Sequence, residues 1–168
     1  MLQTLLDSCA ALGVPLTAAQ AEQLCAFGAR LLEQNRVMNL TAITEPQAVA
    51  KLHFADCLAL LRIVPFSGRR VIDVGCGAGF PGVPLAIFLP DTHFVLMDSL
   101  SKRVEFLRGV IRELSLNAEA VCLRAEEAGR GAMRETFDAA TARAVAPLNV
   151  LCELLLPLVR VGGKAVAL

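Results

Sequence analysis

A short apolar run, Val71-Ile72-Asp73-Val74, runs straight into glycines at alternate positions, Gly75, Gly77 and Gly79. The β-branched run predicts a buried strand with Asp73 near its carboxyl end. Alternate glycines predict a tight turn with positive φ, because a side chain there clashes with the backbone. Val83-Pro84-Leu85-Ala86-Ile87-Phe88-Leu89 then predicts an apolar helix. Strand, glycine turn and helix in this order begin a nucleotide site in an open α/β sheet.

The kind of nucleotide follows from the turn's details. A dinucleotide pattern, G-x-G-x-x-G, fits only Gly77, Gly79 and Gly82, and so starts two residues late. Counted from Gly75, Phe80 stands where the third glycine belongs. Pro81 and Pro84 both fall in the expected first turn of the helix, where proline is tolerated because those N–H groups lack intrahelical partners. The same N–H groups are what cradle a pyrophosphate. No Lys or Arg lies between Val71 and Leu100 to replace them. Such a turn suits a ligand with an adenosine and a zwitterionic tail, a description that S-adenosylmethionine meets.

At 168 residues the chain is long enough for a real core. Apolar content of 55% against 19% charged excludes a disordered polymer. Apolar runs are broken well short of a membrane span, and Met1-Leu2-Gln3-Thr4 lacks the basic start of a secretory signal. A cytoplasmic protein with no membrane partner is expected. Formal net charge is zero, which argues against an unspecific grip on nucleic acid but leaves room for a local basic face. Cys9, Cys25, Cys57, Cys76, Cys122 and Cys152 form no C-x-x-C pair, and the histidines are His53 and His93 alone. No metal is expected. Cys76, inside the turn, is read as a small core residue rather than a functional thiol.

Along the chain, Leu2, Leu5, Leu6 and Cys9 predict a first helix that stops near Gly13. Thr17-Ala18-Ala19-Gln20 predicts a capping box opening a helix to about Arg36, with Leu24, Phe27, Leu31 and Leu32 on one face. Thr44-Glu45-Pro46-Gln47 predicts a second capping box, and Ser101 a third cap. Residues 1–66 thus form a helical layer, and 67–168 a Rossmann-like core, packed as one domain. Strands are expected at about 93–97, 120–123 and 137–142, and after a Gly162-Gly163 turn at 164–168. This alternation implies a parallel sheet with right-handed crossovers.

Ligands in such sheets sit outside the carboxyl ends of the strands. Asp98 ends the second strand near the ~20-residue offset expected for an acid that grips ribose hydroxyls; its alternative is to start the next helix beside Ser99 and Ser101. Glu126, with the backbone of Ala125, is placed to read an adenine edge; its alternative is a solvated helix start. Arg143, after an apolar strand, either clamps a carboxylate or phosphate or pairs with Asp98 or Glu126. The chain has no Tyr or Trp. Nothing resembles a loop that holds an exocyclic amine, a cysteine poised to attack a pyrimidine, or a metal cluster for a catechol. An acceptor with a free lone pair, such as guanine N7, needs none of these.

Several segments together resemble the bacterial 16S ribosomal RNA guanine-N7 methyltransferases, also called glucose-inhibited division protein B. They are Asn39-Leu40-Thr41, Leu52-His53-Phe54-Ala55-Asp56, Asp73-Val74-Gly75-x-Gly77-x-Gly79-Phe80-Pro81-Gly82, Asp98-Ser99-x-x-Lys102-Arg103-x-x-Phe106-Leu107 and Thr141-Ala142-Arg143-Ala144. The resemblance implies a class I S-adenosylmethionine-dependent methyltransferase acting on 16S rRNA in the small subunit or its precursor. It implies cofactor contacts at Gly75, Phe80, Ala125-Glu126 and Arg143, to which the residue argument adds Asp73, Gly77, Gly79 and Asp98. It implies no catalytic base. Family sequences continue into two further strands, so the C-terminal strands are expected to be missing here and the fifth strand to be an exposed edge. Lys51, Lys102, Arg103, Arg69 and Arg70 are the residues available for an RNA-facing basic patch, against the reading that each is a solvated face. The competing functions are a nicotinamide-dependent oxidoreductase and a non-catalytic fragment that holds an adenosine cofactor.

Overall fold

The structure, a computed structural model, describes residues 1–168. Helix α1 (Leu2–Ala11) buries Leu5 and Cys9, and the chain reverses at Gly13 with φ 69°. Helix α2 (Ala18–Met38) opens on the expected capping box: Thr17 accepts from the Gln20 N–H, and the Gln20 side chain returns to the Thr17 N–H. Leu24, Phe27 and Leu31 form its buried stripe. The next helical stretch departs from expectation twice. Its cap is Glu45, whose carboxylate accepts from the Ala48 N–H at 2.7 Å, and not Thr44 one residue earlier. It is also not uniform: α3 (Pro46–Val49) widens into a π-helical turn, Ala50–Ala55, before α4 (Asp56–Ala59) and a short 3-10 turn, Leu60–Arg62.

The remainder alternates: β1 (Arg70–Val74), α5 (Gly82–Phe88), β2 (His93–Asp98), α6 (Ser101–Glu113), β3 (Ala118–Cys122), α7 (Ala125–Ala128), β4 (Phe137–Ala142), α8 (Leu148–Leu155) and β5 (Val159–Ala167). The sheet order is β3-β2-β1-β4-β5, and every pairing is parallel. The chain steps outward from β1 to β3, then returns to the other side of β1 for β4. The reversal opens a crevice between the carboxyl ends of β1 and β4. Gly162-Gly163 is not a turn ahead of the last strand. It lies inside β5 as a bulge, where the pairing slips from Phe137↔Val159 to Ala139↔Lys164. A Cβ on Gly163 would strike Val159 and the carbonyl of Asp138, so glycine lets the strand pass.

Successive strand residues face opposite sides of the sheet. Val71, Phe94 and Leu96 join one apolar cluster with Leu5, Phe27, Phe54 and Phe80, so the N-terminal helices and one face of the sheet share a core. Ile72, Val74, Val95 and Met97 face the other way, onto Leu151, Leu155 and Leu158.

Candidate functional site

The glycine turn is held from beneath by Asp73. This carboxylate is fully buried; one oxygen accepts from the Gly82 N–H at 2.8 Å and the other from the Thr141 hydroxyl at 3.0 Å. Burial pushes its pKa up to about 7, against the opposing pull of these two donors and Arg143. Gly82 must be glycine for this, since a Cβ would collide with Leu96 and with Asp73 itself. Asp73 is therefore a brace between β1, β4 and α5, rather than the ligand-facing residue expected.

Most of the turn's amides are used internally, those of Gly75 and Ala78 excepted. Cys76 N–H donates to the Met97 carbonyl, Gly79 and Phe80 N–H to the Cys76 carbonyl, and Val83 N–H to the Gly79 carbonyl. Gly77 N–H donates to Asp98 at 2.9 Å. Pro81 and Pro84 have no N–H to give. Gly75 and Gly79 hold φ of 66° and 103°. Cys76 is buried, and burial with Asp73 and Asp98 nearby pushes its thiol upward, as befits a small core residue.

Asp98 takes its alternative role here. One oxygen accepts from the Leu100 N–H at 2.9 Å, just ahead of α6, and the other from Gly77, with Arg103 at 3.4 Å. Ser101 is the first residue of α6 and caps nothing with its side chain. Asp98 is only 4% exposed, yet it lines a cavity of about 170 Å³ with Gly75, Met97, Ala125, Glu126 and Val145. The cavity thus joins the ends of β1, β2 and β3, bringing together Gly75, Asp98, Ala125 and Glu126. Val145, in the segment after β4, lies against Gly75: a Cβ there would come within 2.7 Å of Val145 Cγ2.

Arg143 departs from both pairings expected for it. Its side chain turns to the helical layer, not across the strand ends to Asp98 or Glu126. The guanidinium lies 4.8 Å from the Phe80 ring centroid, donates to His53 Nδ1 at 2.9 Å and sits 3.5 Å from an Asp56 oxygen. Phe80 is buried in an aromatic cluster with Phe27, Phe54 and His53. His53, Asp56 and Thr41 are parts of the site that sequence reasoning quoted without assigning a role. Spacing could not find them, because a π-helical turn sets where His53 and Asp56 point.

The basic residues are dispersed. Lys102 and Arg103 line one groove with Val37, Met38 and Leu100, whereas Lys51 lines a separate one of about 690 Å³ with Asp7, Leu52 and Asp56. Arg103 also reaches Asp98 from the first groove, at 3.4 Å. Arg69 and Arg70 lie at the amino end of β1, away from the crevice, and Arg70 stacks on Phe137 at 4.7 Å. They cannot join a patch at the site. No helix is long and apolar enough to cross a membrane, and no group of His, Cys, Asp and Glu is arranged to hold a metal ion.

The sequence model of rRNA small subunit methyltransferase G (GidB) matches residues 20–168. The chain belongs to this family. It is 48% identical over 158 residues to ribosomal RNA small subunit methyltransferase G of Desulfitobacterium hafniense, covering 93% of this chain and 65% of that protein. It is 43% identical over 170 residues to the protein of the same name from Caldanaerobacter subterraneus subsp. tengcongensis, covering 99% and 71%. The chain thus spans about two thirds of the length of these methyltransferase G relatives. Among solved structures, a Corynebacterium glutamicum protein shares the fold with a TM-score of 0.59 at 19% identity, covering 84% of this chain and 66% of that one. A branched-chain polyamine synthase from Thermus thermophilus, solved with 5'-methylthioadenosine, has a TM-score of 0.55 at 17% identity, covering 78% and 38%. Both likenesses concern the Rossmann-like α/β fold.

Proposed function

We propose that this chain carries the S-adenosylmethionine site of a methyltransferase that modifies N7 of a guanine in 16S rRNA. One observation carries the choice of cofactor: the amides of Cys76, Gly77, Gly79, Phe80, Gly82 and Val83 are engaged within the protein, those of Gly75 and Ala78 alone in the turn have no partner, and Asp98 adds negative charge beside them. A pyrophosphate needs several free amides at such a turn. A nucleoside with an amino-acid tail does not. This argues against the nicotinamide reading.

In this assignment Gly77, and Gly75 beneath Val145, let the ligand approach the backbone, whereas Gly79 makes room for Val83 and Leu107 rather than for a ligand. Asp98 uses its remaining acceptor site for a ribose hydroxyl, since an ionised carboxylate has about four lone-pair directions, of which two are taken by amides and one by Arg103. Ala125 and Glu126 flank the base, Phe80 contributes its main chain, and Arg143 meets the carboxylate of the tail. When bound, the cofactor supplies a methyl group on a sulfonium. The residues bind and orient the two reactants and exclude water between them. Guanine N7 already presents a lone pair, so proximity and alignment do the chemistry without a general base. The RNA partner belongs to the small ribosomal subunit or its precursor in the cytoplasm, with Lys102 and Lys51 as separate points of phosphate contact.

Calorimetric titration of the purified chain with S-adenosylmethionine, and with NADH in parallel, tests the cofactor. The expected result is saturable binding of the first and none of the second; the reverse overturns the reading. Methyl incorporation into small-subunit RNA lacking the modification, beside a full-length relative, tests the reaction. Incorporation by neither this chain nor its longer form would leave the non-catalytic binding module in its place.

A further inference from the structure

His53 makes contacts that a buried filler residue does not need. It lies in the π-helical turn Ala50–Ala55, and such wide turns recur at functional sites. Its ring stacks on Phe80 with centroids 4.4 Å apart. Arginine can only donate hydrogen bonds, so the 2.9 Å contact from Arg143 Nη2 obliges His53 Nδ1 to accept. The ring is then neutral with its proton on Nε2, which donates to Thr41 Oγ1 at 2.8 Å. Thr41 is itself fixed: Asn35 donates to its carbonyl at 2.9 Å and accepts from its N–H at 2.8 Å. A continuous line of hydrogen bonds thus runs from α2 through Thr41 and His53 to Arg143.

The charged groups facing this ring are Arg143, from the end of β4, and Asp56, from its own helical stretch; Cys57 touches Arg143 at 3.7 Å. Burial first, then Arg143, pushes the His53 pKa down to about 4, with Asp56 opposing. A protonated ring would present a donor to a donor and break the line.

We propose that His53 is a positioning residue, whose neutral Nε2–H tautomer holds the Arg143 guanidinium over Phe80 in the orientation that meets the cofactor. The proposal rests on the S-adenosylmethionine reading for its consequence, and on the His53–Arg143 contact for its substance.

Two measurements test the two parts. Nitrogen NMR of the imidazole in the wild-type chain should show the Nε2–H tautomer persisting below pH 6, and Arg143→Ala should raise the pH at which His53 takes its proton. A ring that titrates near 6.5 in the wild type, or that ignores Arg143→Ala, overturns the proposal whether or not any cofactor binds. Calorimetry then compares S-adenosylmethionine affinity in a double-mutant cycle. His53→Leu should weaken binding about tenfold, the scale of one lost hydrogen bond to a charged group. It should have no further effect in the Arg143→Ala background. His53→Asn, which keeps an acceptor near the Nδ1 position, should recover most of the affinity, and it serves equally if the leucine variant does not fold. A His53→Asn variant as weak as His53→Leu, together with an undiminished His53→Leu loss in the Arg143→Ala background, would show that the ring only fills space. Wild-type chain that binds no S-adenosylmethionine, with the NMR result as expected, would remove the cofactor reading and leave the contact standing.

Discussion

Two aspartates at adjacent strand ends do different work, and their surroundings say why. Asp98 keeps acceptor capacity at the edge of a cavity, whereas Asp73 has both oxygens taken and no exposure. Asp98→Ala should weaken S-adenosylmethionine binding by about 1–3 kcal/mol, the range for hydrogen bonds to a charged group; calorimetry that returned the wild-type affinity would take Asp98 out of the site. Asp73→Ala should act on folding. Removing the carboxylate leaves the buried Gly82 N–H without its acceptor, an unmatched polar group that costs about 1–3 kcal/mol. Urea unfolding of the two proteins measures that difference directly, and equal midpoints would mean the brace is dispensable. The sequence placed both aspartates correctly at strand ends. It could not separate their roles, because burial and the identity of the facing donors come from β4 and α5, which are remote in the chain.

Among the elements, those with strong local signals were legible and those with tertiary causes were not. The α2 cap was readable because Thr17 and Gln20 satisfy each other's backbone within one turn. Thr17→Ala should cost about 1 kcal/mol, the usual value of an N-cap, seen as a lower urea midpoint at unchanged slope. The strands at 93–98 and 137–142 followed from apolar runs between polar breaks. The π-helical turn left no mark in Ala50-Lys51-Leu52-His53-Phe54-Ala55, where every residue is compatible with an ordinary helix. It is explained by what it delivers, since His53 reaches Phe80 and Arg143 while Phe54 stays in the core. The Gly162-Gly163 pair reads as a turn in the sequence because paired glycines usually are one; pairing with β4 on both sides converts it to a bulge.

Over the whole molecule, one apolar cluster ties the helical layer to the sheet. Phe27 and Phe54 stack at 5.6 Å and both meet Phe80, which belongs to the turn after β1. We propose that residues 1–66 and 67–168 unfold as one cooperative unit. Far-UV circular dichroism, which follows the helices, and hydrogen exchange at β1 and β4 amides should report the same urea midpoint; a helical layer that melts first would divide the chain into two units. Val145 touches the molecule's other boundary, with solvent. It rests on Gly75 beside a space of about 170 Å³, less than the roughly 300 Å³ at which small-molecule pockets begin. On the proposed reading, a nucleoside is expected to enter when the segment around Ala144, whose φ is 54°, swings aside. In stopped-flow mixing the observed association rate should climb with ligand concentration and then level off at the frequency of that swing, and Val145→Ala should raise the ceiling. A rate that stays linear to the highest concentration would mean that the doorway already stands open.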